Sequence, residues 1–338
     1  MKVNYKIFEL PFKHPFIISK ASKTVQSTLL VELDYFGFKG YGEAPAITYY
    51  NITVDQMIAD LENKRKWVEQ FAFSDPERYW HYLHHLFPDN SFLVCALDIA
   101  GWDIYGKIKK KPLHELWQVD TNNAPLTDFT IGIDDTESMV KKIKEQPWPI
   151  YKIKVGFEND IETIATLRQH TNAVFRVDAN GAWNTETAMQ KIPLLKDLGV
   201  ELVEQPLDKN DWDGMKVLYE HTVLPLFADE SCVKESDVTK CNGFFHGINI
   251  KLTKCGGITP ARRMITQARS MNLKIMLGCM NESAVGTAAI AQLAPLVDYA
   301  DMDGTLLQTS SVADGVEIVD GKYLYNNFPG LGITSVFM

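Results

Sequence analysis

The sequence predicts an α/β fold: a TIM-type barrel preceded by a small α+β domain. Three observations lead there. From residue 129 onward, short apolar β-branched runs alternate with helical segments: Phe129–Ile133, Ile150–Val155, Val174–Val177, Leu202–Val203, Leu224–Ala228, Ile248–Ile250, Ile275–Leu277 and Tyr299. Near-continuous apolar strands separated by helices are the pattern of a parallel sheet covered on its faces. Charged residues close five of these runs at regular intervals, with Lys154, Asp178, Glu204, Asp229 and Lys251 separated by 24, 26, 25 and 22 residues. That spacing is one βα unit, a strand of about six residues plus a helix of about twelve with its loops. Third, neither GxGxxG nor GxxxxGK[ST] occurs, so a doubly wound nucleotide-binding sheet lacks its phosphate-cradling glycines.

The residues before the barrel read as a separate unit. Lys2–Leu10 and Thr28–Tyr35 alternate in the manner of strands, and the turn Gly37-Phe-Lys-Gly40 leads to a third strand ending at Gly42-Glu-Ala-Pro45. Helical patterns follow over Thr53–Phe71, Asp75–Leu86 and Ser91–Tyr105. The expected division is an α+β domain over 1–122 and a barrel over 123–310. Segment 311–338 returns to strand and turn character and is expected to complete the small domain.

Composition bounds the function. The chain has 338 residues, 46% hydrophobic and 23% charged, ordinary values for a globular enzyme. A net charge of −9 without a long basic run argues against nucleic acid or an anionic membrane as partner. The most apolar stretch, Ala284–Val297, is too short to span a bilayer and is interrupted by Gln292 and Pro295. No basic-then-apolar leader precedes MKVNYKIFEL, which gives a cytoplasmic expectation. The five cysteines are scattered, without a CxxC, so reduced thiols are expected. The sequence does not settle the oligomeric state; a homo-oligomer is compatible with it.

Asp178, Glu204 and Asp229 close successive strands, and adjacent barrel strands lie about 4.8 Å apart. The three carboxylates can therefore converge, and they repel unless protonated or holding a cation. All-oxygen ligation suits Mg²⁺ better than zinc. An acid at one strand end is more often a helix cap; three in succession favour a metal. Lys152 and Lys154 sit two apart on one face of a strand. Lys154 and Lys251, with three acidic strands between them, would face each other across the barrel. Beside a divalent cation their pKa values are expected to fall towards neutrality. Opposed bases around a metal suggest abstraction of a proton next to a carboxylate, through an enediolate, with return of a proton on the other face.

The ordered set Lys152-Ile-Lys154, Asp178-Ala-Asn180, Glu204-Gln-Pro206, Asp229-Glu-Ser231 and Lys251 resembles the enolase superfamily, in its muconate-lactonizing subgroup. The lysine base with magnesium is a known property of that superfamily. The resemblance spans essentially the whole chain and implies a modified (β/α)7β barrel with an N-terminal α+β capping domain. It also implies Mg²⁺ as cofactor, Asp178, Glu204 and Asp229 as its ligands, and Lys154 and Lys251 as the acid/base pair.

Within that subgroup, Asp301-Met302-Asp303 is the discriminating feature. Period-two spacing turns both carboxylates to one face, where they suit a substrate ammonium. A DxD at that place resembles the dipeptide epimerases, which implies a small-molecule dipeptide substrate. The resemblance further implies substrate contacts for Lys152, Thr130, Cys279 and Asn281. Relatives acting on dipeptides ending in Glu carry an arginine in the first cap loop, here Pro15–Lys23. This sequence has none. Lys20 or Lys23 would have to stand in, without the bidentate fork of arginine. Phe16, Ile17, Ile18 and Ile47 point instead to an apolar pocket and a hydrophobic second residue. An N-acylamino acid racemase, an o-succinylbenzoate synthase and a catalytically silent binding barrel remain alternatives at this point. The histidines of His81-Tyr-Leu-His84-His85 lie far from the acids and read as a packed or solvated helix face.

Overall fold

A computed structural model describes residues 1–18, 21–315 and 317–336. The first three strands, β1 (Lys2–Ile18), β2 (Ala21–Tyr35) and β3 (Phe38–Pro45), form an antiparallel sheet in the order β1-β2-β3. Within the stretch 15–23, expected as a loop, residues 15–18 and 21–23 instead continue the strands of a long hairpin, with Phe16 paired to Lys23 and Ile18 to Ala21. Their β-branched and aromatic residues favour extended backbone, and the end of β1 is docked: the Ile133 N–H donates to the Ile17 carbonyl at 2.9 Å. Lys20 lies outside the described residues.

Three helices follow, α1 (Val54–Gln70), α2 (Pro76–Leu86) and α3 (Ser91–Lys109). Each begins at a polar cap: Thr53 accepts from Gln56 N–H, Asp75 from Arg78 N–H and Asn90 from Leu93 N–H. α3 is apolar nearly all round because it is covered nearly all round, by the cap sheet on one side and the barrel on the other. It lies so close to β3 that a Cβ at Gly42 would stand 1.9 Å from the Ala96 carbonyl oxygen. Only glycine fits that crossing.

The eight strands β4 (Phe129–Ile131), β5 (Ile150–Lys154), β6 (Val174–Asp178), β7 (Val200–Glu204), β8 (Leu226–Ala228), β9 (Gly247–Lys251), β10 (Lys274–Gly278) and β11 (Tyr299–Asp301) pair in parallel in chain order. A parallel bridge between Thr127 and Ala300 brings the last strand to the first. Helices lie on the connections between consecutive strands, and after β11 the described residues form a single helical turn, Gly304–Leu307, before the short strands of the C-terminal segment. This is the expected (β/α)7β arrangement. Inside, Leu202, Phe227 and Met276 pack with Tyr299. They stand two residues before Glu204, Asp229, Gly278 and Asp301, so this apolar layer lies one pleat beneath the level that carries the acids.

The C-terminal segment touches both units. Leu113 N–H donates to Gly330 O, and Leu331 N–H to Asp103 in α3. Thr127 N–H donates to Gly321 O, and the Tyr323 hydroxyl lies 3.1 Å from Met302 Sδ beside β11.

One buried acid fastens α3 to the barrel. Asp98 accepts from Thr259 N–H at 3.0 Å and from the Thr259 hydroxyl at 2.7 Å, at the start of helix Ile258–Ser270. Burial pushes its carboxyl up to about 7. A carboxyl raised above its unfolded value binds a proton preferentially in the folded state, so its contribution to stability is lost as pH rises from about 4 to about 7. Across that window, wild type should lose stability relative to Asp98→Asn, as read by denaturant unfolding at each pH. A pH-independent difference would contradict the assignment.

Candidate active site

Strand register lines up the chemistry. Lys154 pairs with Asp178, and Asp178 with Glu204, while Gly278 pairs with both Lys251 and Asp301. Register partners point to one side of a sheet, here the barrel interior. Glycine at 278 keeps that level open, since a Cβ there would meet the Asn249 amide oxygen at 2.5 Å. Lys154 and Lys251 stand on strands four apart in an eight-strand ring, on opposite sides of the site.

The acids and lysines are buried and mutually paired. Lys152 Nζ lies 2.6 Å from Asp301, 2.8 Å from Glu204 and 3.1 Å from Asp178. Lys154 Nζ is 2.6 Å from Asp178, and Lys251 Nζ is 2.7 Å from Asp229 Oδ2. The other Asp229 oxygen, Oδ1, accepts from Lys254 at 2.6 Å. Lys254 also donates to the carbonyls of Asp229, Cys232 and Asn249. Asn249 Nδ2 donates to Glu204 Oε1 at 2.9 Å.

Protonation follows this pairing. Burial would raise Asp229, but Lys251, Lys254 and Lys152 hold it far below the usual carboxylate range. Burial likewise opposes ionisation of Asp178, which Lys154 and Lys152 hold down to about 2. Glu204 is pushed up to about 7 by burial and by Asp178. Burial would lower Lys251, yet Asp229 raises it well above the ordinary lysine value, opposite to the expected fall towards neutrality. The reason is the ion pair itself; a cation on Asp229 would draw that charge away from the lysine.

Asp178, Glu204 and Asp229 each offer a carboxylate oxygen, and these oxygens lie within 4.8 Å of one another. On an octahedral Mg²⁺, ligand oxygens stand about 3 Å apart when adjacent and about 4.2 Å when opposite. The three carboxylates thus fit such an ion with small side-chain adjustment, and their all-oxygen chemistry suits it.

Above the acids is a cavity of about 210 Å³. Its floor carries Thr130, Lys152, Lys154, Asp229, Lys251, Asp301 and Asp303. Cys279, Met280 and Asn281 form one wall, and Phe16, Lys23 and Ala46–Tyr50 of the cap form the other. Asp303 Oδ2 accepts from Thr130 N–H at 2.6 Å, and the Cys279 thiol stands 3.8 Å from Oδ1. Burial and the neighbouring Asp301 push Asp303 up to about 6.

Residues 2–117 match the N-terminal domain model of the mandelate racemase / muconate lactonizing enzyme family, and residues 135–335 match the enolase C-terminal domain-like model. The chain belongs to this family. An L-Ala-D/L-amino acid epimerase of Flavobacterium johnsoniae is 48% identical to this family member over 334 residues, covering 99% of each chain. The substrate-liganded L-Ala-D/L-Glu epimerase of Bacillus subtilis superposes with a TM-score of 0.94, at 26% identity over 99% of each chain. A dipeptide epimerase of Enterococcus faecalis complexed with Mg and L-Leu-L-Tyr superposes with a TM-score of 0.91, at 28% identity over 99% of each chain. Among the described residues, no helix of this family member is long and apolar enough to cross a membrane.

The eleven residues singled out from the sequence all lie at this end of the barrel: the three acids, the three lysines, Asp301, Asp303, Thr130, Cys279 and Asn281. Cys279 is both pocket wall and buried packing. Of the apolar cap residues, Phe16 and Ile47 line the cavity; Ile17 meets Gly132 at the barrel edge, and the Ile18 side chain is outside the described set. Sequence reasoning missed Lys254, Asn249 and Tyr50. Asn249 was legible: two residues before Lys251, it shares that lysine's face. His84 stacks on Trp80 at 4.8 Å, as a packed helix face would. Glu204→Gln should weaken Mg²⁺ binding on the order of a hundredfold, whereas Asp303→Asn should leave it within a few-fold. Titration calorimetry decides, and equal losses would contradict the ligand assignment.

Proposed function

We propose that the chain is a Mg²⁺-dependent dipeptide epimerase that interconverts L,L- and L,D-dipeptides by 1,1-proton transfer. The observation that carries the reading is the inequality within the DxD pair. Asp301 is neutralised by Lys152, whereas Asp303 accepts from Thr130 N–H and meets the Cys279 thiol, with no lysine or arginine paired to it among the described residues. A buried carboxylate on the pocket floor is costly without a cation, and a substrate α-ammonium would supply one. N-acyl and succinyl substrates carry no such group and would face an uncompensated acid.

Asp178, Glu204 and Asp229 would hold the Mg²⁺. When bound, it would supply positive charge against which the substrate carboxylate can take up the charge left as the α-proton departs. Lys154 and Lys251 approach the α-carbon from opposite faces: one takes the proton and the other returns one, which inverts the centre. Lys152, between the metal acids and Asp301, orients the substrate carboxylate. Tyr50 and the cap strand end exclude water from the reacting carbon. The second side chain lies against Phe16, Ala46, Ile47, Tyr49 and Met280, which favours a hydrophobic residue there.

In D₂O with Mg²⁺, L-Ala-L-Leu should gain one deuterium at the second α-carbon. Lys154→Ala and Lys251→Ala should each suppress epimerisation by on the order of a thousandfold or more, as followed by mass spectrometry and chiral chromatography. Exchange restricted to N-acyl amino acids would replace this reading with the racemase one. Asp303→Asn should raise KM for the free dipeptide about tenfold, the scale of one charge-assisted hydrogen bond. An unchanged KM would place the ammonium elsewhere.

A further inference from the structure

Glu43, in β3 of the cap, is fully buried, and among the described residues its hydrogen-bond partners are neutral hydroxyl and backbone N–H donors. Oε1 accepts from the Thr28 hydroxyl at 2.9 Å and from Ser283 N–H at 2.8 Å. Oε2 accepts from the Ser283 hydroxyl at 2.5 Å and from Gly286 N–H at 2.9 Å. Three of these four donors belong to the barrel, at the start of helix Ala284–Leu293. Gly286 makes the approach possible, since a Cβ there would stand 2.4 Å from Glu282 Cβ and 3.3 Å from Glu43 Oε2.

Both cavity walls begin beside this carboxylate. Three residues after Glu43 the chain reaches Ala46 and Ile47, the cap wall. Two residues before Ser283 lies Asn281, and with it Met280 and Cys279, the barrel wall. The barrel wall is a constrained turn: Asn281 has φ +64°, its carbonyl accepts from Gln308 Nε2 at 2.8 Å, and Glu282 Oε2 accepts from Met280 N–H at 2.6 Å. The carboxylate therefore ties together the two walls between which the substrate's second side chain lies.

We propose that Glu43 is a positioning residue that sets the width of the second side-chain pocket by joining strand β3 of the cap to the turn after β10. It touches no substrate, and the proposal rests on the dipeptide epimerase reading. Each oxygen serves one backbone N–H and one hydroxyl. Whichever oxygen becomes an amide in Glu43→Gln, an N–H then faces a backbone N–H. The two strands part, and small side chains lose their fit before large ones do.

The test compares wild type, Glu43→Gln and Asp98→Asn on L-Ala-L-Ala, L-Ala-L-Leu and L-Ala-L-Tyr. It also follows backbone amide deuterium uptake. For Glu43→Gln, KM for L-Ala-L-Ala should rise about tenfold, the scale of an unsatisfied buried donor, while KM for L-Ala-L-Tyr changes less than about twofold and kcat is kept. Uptake should rise across 279–286 and stay unchanged across 258–270. Asp98→Asn alters another cap-to-barrel fastening, which lines no part of the cavity, and should leave the substrate profile parallel to wild type. A uniform KM change across the three dipeptides, an unchanged profile, or the same tilt in Asp98→Asn would overturn the proposal. Should Glu43→Gln not fold, Ser283→Ala removes one donor without the opposed N–H pair and should give the same tilt at smaller size. If wild type turns over none of the dipeptides, the epimerase reading fails, and unchanged uptake at 279–286 would independently remove the positioning role.

Discussion

Everything at the open end of the barrel depends on balancing buried charge. Asp178, Glu204, Asp229, Asp301 and Asp303 lie within one water-poor space, and an unpaired carboxylate there costs several kcal/mol. Lys152 contacts three of them at once, Lys154 and Lys251 hold one each, and Lys254 takes the second oxygen of Asp229. Among the described residues no lysine or arginine pairs with Asp303, on the cavity floor. The network that makes the site foldable thus also leaves one acid at the cavity without a cation.

Pairing has a consequence for reactivity. The interaction that stabilises Lys251 as an ammonium is the one that would have to weaken for the proposed proton transfer. A cation shared by Asp178, Glu204 and Asp229 would weaken it directly, because Asp229 could not give its full charge to both. In the proposed mechanism metal and base would thus be linked through one carboxylate, which Lys254 holds by its other oxygen.

The cap belongs to this economy of charge as much as to the packing. Asp98 and Glu43 each enter the first turn of a barrel helix, where free N–H groups favour an anion. Both are buried between the two units, so the cap sheet and the strand ends are held at fixed distances. The hairpin carrying Phe16 and Lys23 meets the barrel edge, where Ile133 N–H donates to the Ile17 carbonyl. Lys23 bonds Gln26 and stands over Phe12 and Phe16, and burial pushes its ammonium down to about 8.

Periodicity and spacing determined the barrel, the acids Asp178, Glu204 and Asp229, and the lysine pairs, because a strand–helix unit repeats at a length that the charged strand ends reveal. The same period-two rule brought Asp301 and Asp303 to one face. Residues whose roles depend on contacts across the chain were not legible. Glu43 meets Ser283 across 240 residues, and Asp98 meets Thr259 across 161; each looks like an ordinary polar residue in its own segment. The resemblance implies a cap loop over Pro15–Lys23, yet pairing of Phe16 with Lys23 and of Ile18 with Ala21 extends the two strands into it. Local sequence determined which side chains point inward. Tertiary structure alone decided which charges neutralise one another, because that depends on distances between strands that no single segment encodes.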